Sequence, residues 1–189
     1  MEPIYDFSHD LIETGADLHG HFLLTTGLHS SRFFLMARLG EHPGKMLRWG
    51  EKLAEMLAPY DAPTVVGAAL GGIIPAYAVA AASNRRVLFA EKTAEGPMML
   101  YPEALFPGEK VLVIEDAVAT GSSIRKVIRA VEEQDGQVVA IGALVHRGAA
   151  ISWSVPYHSV VSLKEPVPMW TPDVCPLCEK GLPLTRPKL

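Results

Sequence analysis

The sequence predicts an α/β domain, with a mainly parallel, twisted sheet flanked by helices. Apolar, β-branched runs at 64–69 (Thr-Val-Val-Gly-Ala-Ala) and 111–114 (Val-Leu-Val-Ile) read as strands buried on both faces. Each passes through a loop of small residues into a segment with helical character. Strands that alternate with helices build parallel sheets through right-handed connections. A length of 189 residues suits one domain over 1–189, and 49% hydrophobic with 20% charged residues suits a packed core.

The stretch 111–131 organises the rest. Beyond its strand, Ile124, Val127, Ile128 and Val131 recur at i, i+3, i+4 and i+7, one face of a helix. Ser122 or Ser123 is expected to cap that helix. Between strand and helix stand Glu115 and Asp116, then Ala117-Val118-Ala119-Thr120-Gly121. Such a loop can turn its N–H groups toward an anion, and the helix dipole adds to the attraction. Two carboxylates at the rim of a phosphate cradle suit vicinal hydroxyls or a hydrated Mg²⁺. The plainer alternative is an ordinary strand-to-helix turn. Neither a glycine-rich dinucleotide fingerprint nor the Gly-Lys-Ser/Thr of a triphosphate loop is present.

Taken in order, 9–18 suits a short helix. A strand at 22–24 turns at Thr26-Gly27 into a second strand at 33–39, giving a small N-terminal hood of about 1–40. Phe33 and Phe34 lie in this hairpin; the simplest packing puts one in the core and one against a neighbouring chain. Met46, Trp49, Leu53, Met56 and Leu57 line one side of a helix over 45–58. The strand at 64–69 leads through Leu70-Gly71-Gly72 into an alanine-rich helix at 73–83. Without side chains, Gly71 and Gly72 let backbone N–H groups approach a diphosphate. Further strands are expected at 87–90, 137–145 and around 160–163. The segment 93–109 has no basic residue, and 185–189 reads as a mobile end.

A net charge of −4 argues against a broad nucleic-acid surface but leaves room for a local basic pocket. No apolar run approaches the length of a membrane span. Residues 1–14 carry four acidic and no basic residues, unlike a signal peptide, so the expected compartment is the cytoplasm. The two cysteines form Cys175-Pro-Leu-Cys178. The pair suits packed thiols, half of a zinc site or a redox couple; zinc needs two more ligands, from a histidine or a symmetry-related chain.

The segment Glu115-Asp116 followed by Thr120-Gly121 resembles the phosphoribosyl-diphosphate (PRPP) signature of type I phosphoribosyltransferases, with Ala119 where the first threonine is usual. Gly20-His21-Phe22-Leu23-Leu24-Thr25-Thr26-Gly27-Leu28-His29-Ser30 resembles the N-terminal segment of the orotate phosphoribosyltransferases. Thr25 stands at that family's basic position. The Cys-Pro-Leu-Cys tail resembles one branch of the same family.

The resemblance implies the type I phosphoribosyltransferase fold, with a hood completed by the C-terminal tail. It also implies a glycosyltransferase of pyrimidine biosynthesis that moves ribose 5-phosphate from PRPP to orotate. PRPP would contact Glu115 and Asp116 through its ribose hydroxyls and 117–123 (Ala117, Val118, Ala119, Thr120, Gly121, Ser122, Ser123) through its 5′-phosphate. Leu70, Gly71 and Gly72 would take the diphosphate. Phe33, Phe34, Ala119, Thr25 and Arg147 would hold the base, Arg147 by planar recognition of its carboxylate. Glu115, Asp116 and Lys92 would act in catalysis, with Mg²⁺ near the two carboxylates. A homodimer is implied, with Met98, Met99 and Leu100 suited to the contact. The family's closing loop carries basic residues that 93–109 lacks, which implies slow turnover. Thr25 and Ala119 leave open a phosphoribosyltransferase for another base, and the missing loop cations leave open a non-catalytic PRPP-binding regulator. A surface role for Arg147 at a strand end is the plain alternative.

Overall fold

The computed structural model describes residues 5–24, 26–94 and 96–187. Its chain forms two sheets. Strands β1 (Asp17–Leu23) and β2 (His29–Phe34) pair antiparallel after helix α1 (Phe7–Glu13). Helices α2 (Ala37–Gly40) and α3 (Pro43–Leu57) follow, then β3 (Thr64–Ala68), α4 (Ile73–Ser83), β4 (Arg86–Lys92) and β5 (Met98–Tyr101). Strand β6 (Lys110–Val118) leads to α5 (Ser122–Glu132), then β7 (Gln137–His146), β8 (Tyr157–Ser162), β9 (Met169–Trp170) and α6 (Pro176–Glu179). The larger sheet runs β5-β4-β3-β6-β7-β8, parallel except for β5 at one edge. The smaller sheet is β1-β2-β9, so the tail returns to complete the N-terminal hairpin.

Strand alternation sorts the core into two layers. On β6, Leu112 and Ile114 face Trp49, Leu53 and Leu57 of α3 and Ala76 and Val79 of α4. Val111 and Val113 face the opposite side with Ile124, Val127 and Val131 of α5. Both faces of the sheet are therefore covered, as the unbroken apolar runs require. The hood shares the first layer through Phe34, Met36 and Leu39. Among the described residues, no helix is long and apolar enough to cross a membrane.

Several expected boundaries move. The helix expected at 9–18 is α1, capped by the Asp6 carboxylate, which accepts from the N–H groups of Ser8 and His9. The second strand of the hairpin ends at Phe34, five residues short of its expected end, because Ala37–Gly40 turns into α2. The strand before the acidic pair does not stop at Ile114. It continues through Glu115 and Asp116 to Val118, held by pairing of Glu115, Ala117 and Val118 with β7. Neither serine caps α5; Gly121 does so, at φ +75°. The segment 93–109 is not wholly loop, since β5 pairs along β4. Nor is the end free through Pro187: Thr185 pairs beside Phe22 and exchanges backbone hydrogen bonds with His21 and Leu23.

One buried network had no signal in the helical pattern that contains it. Asp10 is 3% exposed beneath α3. Its carboxylate accepts from Lys45 Nζ at 2.6 Å, the Trp49 indole at 2.9 Å and the Tyr5 hydroxyl at 2.7 Å. A buried carboxylate is costly unless so satisfied. Burial raises its pKa, but hydrogen bonds from Lys45, Tyr5 and Trp49 prevail and hold it below the ordinary value.

Candidate active site

The C-terminal ends of β3, β6 and β7 converge on one edge of the sheet, where parallel α/β folds place ligands. Residues Glu115 and 117–124 enclose a small hollow of about 100 Å³. Its floor is the turn from β6 into α5. A side chain at Gly121 would run into the Trp153 ring, which is itself covered by the Arg125 guanidinium at 4.8 Å. Glycine is thus required there twice, by its positive φ and by close approach.

The acidic pair forms the rim. Glu115 is 7% exposed, and its Oε1 accepts from the Asp116 N–H at 3.1 Å. Asp116 Oδ1 accepts from the Ala117 N–H at 2.6 Å. On its other side the Asp116 carboxylate lies against Gly71, where an added Cβ would sit 2.7 Å from Cγ. The loop after β3 and the end of β6 therefore meet at Asp116. Gly72 N–H donates to the Ala68 carbonyl at 2.8 Å, and the Ala69–Leu70 peptide is cis. Leu70 is 85% exposed at the mouth of this edge.

A second cleft, of about 660 Å³, opens beside the hollow. Ala119, Thr120 and Ser122 line both, so the two adjoin. The hood supplies Leu23, Leu24, Leu28 and Phe33 to one wall, while Arg147, Met169 and Arg186 face it from β7 and the tail. Arg147 is fixed by its backbone, its N–H donating to the Val118 carbonyl at 2.9 Å. Its guanidinium reaches the Arg32 carbonyl at 3.4 Å, yet its buried Nε has no hydrogen-bond partner among the described residues. Burial, then the Arg32 charge, lowers its pKa from the ordinary arginine value. Arg32 is engaged by a two-bond contact with Asp17, at 2.7 and 2.6 Å. Arg147 is therefore a half-buried cation facing an open cleft with donors to spare, which suits an anionic ligand.

Comparison with known proteins fixes the family. Residues 48–177 match the phosphoribosyl transferase domain. The chain is 43% identical over 180 residues to an orotate phosphoribosyltransferase of Thermotoga maritima, covering 94% of each chain. This chain belongs to the orotate phosphoribosyltransferase family. It is also 40% identical over 173 residues to an orotate phosphoribosyltransferase of Thermus thermophilus, covering 90% of this chain and 93% of that one. The solved orotate phosphoribosyltransferase of Aeropyrum pernix superposes with a TM-score of 0.70 at 26% identity, covering 84% of this chain and 94% of that one.

Within this family member, the residues expected at the site separate into three groups. Glu115, Ala117, Val118, Ala119, Thr120, Gly121, Ser122 and Ser123 line the hollow, with Asp116 and Gly71 in contact at its rim. Phe33, Ala119 and Arg147 line the cleft. Two expected residues lie apart from both cavities, and a third cannot be placed. Phe34 is 6% exposed and packs in the core, because consecutive strand residues point to opposite faces and Phe33 takes the cleft. Lys92 is exposed at the end of β4, paired with Met98, and lines neither cavity. Thr25 lies outside the described residues. Arg186 and Met169 had no signal in the sequence, since only the return of the tail onto β1 and β2 brings them to the cleft.

Proposed function

We propose that this protein is an orotate phosphoribosyltransferase, forming orotidine 5′-phosphate and diphosphate from orotate and PRPP in pyrimidine nucleotide biosynthesis. The observation that carries the proposal is that the hollow and the cleft share Ala119, Thr120 and Ser122 as a common wall, with two carboxylates at one end and a half-buried Arg147 at the other. PRPP places its 5′-phosphate at the start of α5, where N–H groups and the helix dipole favour an anion. Its ribose hydroxyls donate to Glu115 and Asp116. Orotate lies against Phe33 and offers its carboxylate to Arg147, a guanidinium matched to planar two-bond recognition.

In the reaction, the orotate ring nitrogen bonds to ribose C1 as the bond from C1 to the diphosphate oxygen breaks, and the proton of that nitrogen passes to the departing diphosphate or to water. Positive charge gathers on the ribose, and fixed carboxylates beside it stabilise that charge. Mg²⁺ fits the oxygen donors of this rim and neutralises diphosphate charge when bound. Glu115 and Asp116 would hold it, directly or through water, together with the substrate. Arg186 adds a cation at the cleft that 93–109 does not carry.

A homodimer is part of the proposal. Leu100 is buried against the core and is not available, but Met99 and Tyr101 on the edge strand β5 are 55% and 51% exposed. An edge strand with exposed apolar side chains gains from a partner. Sedimentation as a monomer at micromolar concentration would remove this part. The reaction is tested by incubating the protein with PRPP, Mg²⁺ and a panel of bases while following diphosphate release. Release with orotate alone is expected. Release with another base in preference would replace the substrate, and none with any base would replace the activity.

A further inference from the structure

The hood and the tail meet at a cluster outside the cleft. His21 of β1, His29 of β2, Cys175 before α6 and Cys178 within it place one ligand atom each within 4.8 Å of one another. His21 Nε2 lies 3.0 Å from His29 Nδ1 and 3.5 Å from Cys175 Sγ. Cys178 Sγ lies 3.7 Å from His21 Nε2 and 3.3 Å from His29 Nδ1. A tetrahedral zinc with bonds of about 2.0–2.1 Å to nitrogen and about 2.3 Å to sulfur has ligand-to-ligand edges of about 3.3–3.8 Å. These four distances already stand close to those edges.

The surroundings point the same way. His21 Nδ1 lies 2.8 Å from the Leu182 carbonyl. A carbonyl can only accept, so Nδ1 carries the proton and Nε2 presents its lone pair to the cluster. Fixing the ligand tautomer through the far ring nitrogen is what backbone carbonyls do around metal-bound histidines. His21, His29 and Cys175 are each 4% exposed or less, while Cys178 closes the cluster from the surface. The spacing Cys-Pro-Leu-Cys sets two sulfurs on one short turn, where the Cys178 N–H donates to the Cys175 carbonyl at 3.1 Å. Two thiolates and two imidazoles at tetrahedral spacing select zinc over oxygen-seeking cations such as Mg²⁺.

We infer that His21, His29, Cys175 and Cys178 form a structural zinc site that staples the C-terminal tail to the N-terminal hairpin. All four positions are filled by protein, which leaves no open coordination site for chemistry. The ligands come from residues more than 140 positions apart in the chain, so the metal closes a very long loop. Its function is positional: β1 and β2 carry Leu23 and Phe33, β9 carries Met169, and the tail beyond Leu182 carries Arg186, all of which line the cleft. Binding at such a site contributes directly to folding free energy.

The test is the metal content of the full chain, purified without chelators and measured by plasma mass spectrometry, with cobalt as a spectroscopic probe. About one zinc per chain is expected. Replacement by Co²⁺ should give thiolate-to-cobalt charge-transfer absorption and the ligand-field bands of a tetrahedral site. Cys178→Ser and His29→Gln should each cut zinc content by about tenfold or more, and chelation of the unaltered protein should lower its melting temperature. The chelation arm stands even if a variant fails to fold, and none of these readouts depends on orotate turnover. A folded protein that holds no zinc and gives no cobalt–thiolate absorption would overturn the inference. So would a Cys175–Cys178 disulfide found in the freshly purified chain.

Discussion

Gly71→Ala tests how the two loops cooperate. Gly71 is exposed and its φ is not in the positive region, so alanine suits its backbone. The new Cβ, however, would lie 2.7 Å from Asp116 Cγ and 3.1 Å from Oδ1. Something must shift, and the carboxylate is the movable partner. Moving it away from the ribose removes at least one charge-assisted hydrogen bond, worth about 1.5–3 kcal/mol. At about 1.4 kcal/mol per decade, KM for PRPP should rise by one to two decades. Stability should change by less than about 0.5 kcal/mol, as for most surface substitutions. The assay is steady-state orotidine 5′-phosphate formation against PRPP concentration, with thermal unfolding as a control. In an Asp116→Ala background, where no carboxylate remains to displace, Gly71→Ala should add almost nothing. A KM within twofold of wild type, or fully additive effects in the double variant, would refute the reasoning.

Three further outcomes are expected. Asp10→Ala leaves the buried Trp49 indole N–H without its acceptor and the Lys45 ammonium with Glu13 alone, costing about 1–3 kcal/mol in urea unfolding. Because the native pKa of Asp10 lies below its unfolded value of about 3.9, its contribution is complete at neutral pH and fades as pH falls through that value toward the native one. The variant should accordingly lose less stability than the wild type between about pH 5 and pH 3, and parallel pH profiles would contradict this. Arg186→Ala should weaken orotate or PRPP binding without altering the melting temperature by more than a few degrees, and unchanged KM values would show that the cation at the cleft is idle. Turnover should be slow for want of loop cations, since one well-placed donor to developing charge is worth about 2.7–4 kcal/mol; Pro97→Lys should raise kcat, and a wild-type kcat already above about 10 per second with no gain would contradict it.

What the sequence revealed divides along physical lines. The sheet-forming runs and helix faces were legible because burial enforces a period: Ile124, Val127 and Val131 are all fully buried, as their spacing requires. Helix α4 begins and ends at the residues expected of it. The acidic rim and small-residue hollow were legible because their chemistry is local in sequence. Where contacts are long-range, the sequence was silent. Nothing near Asp10 announces Lys45 and Trp49, and nothing near Arg186 announces a cleft floored 60 residues earlier. The cysteine pair displayed half of a tetrahedral cluster, while its histidine partners, on β1 and β2, are set by strand pairing and the returning tail. Phe33 and Phe34 could be told apart only by strand phase, which the shift of β2 to His29–Phe34 decided. Ser122 lost the capping role because Gly121 alone accommodates both φ +75° and the Trp153 ring.

The most direct test of the central claim is orotidine 5′-phosphate formation by Arg147→Ala against wild type, with KM measured separately for orotate and PRPP. One continuous site, with orotate at Arg147 and PRPP at the acidic rim, predicts a rise in KM for orotate of about 10-fold or more while KM for PRPP moves little. Loss of a charge-assisted contact of about 1.5–3 kcal/mol sets that scale. Unchanged KM for orotate in a folded variant, or no product from the wild-type protein with PRPP, Mg²⁺ and orotate, would contradict the account.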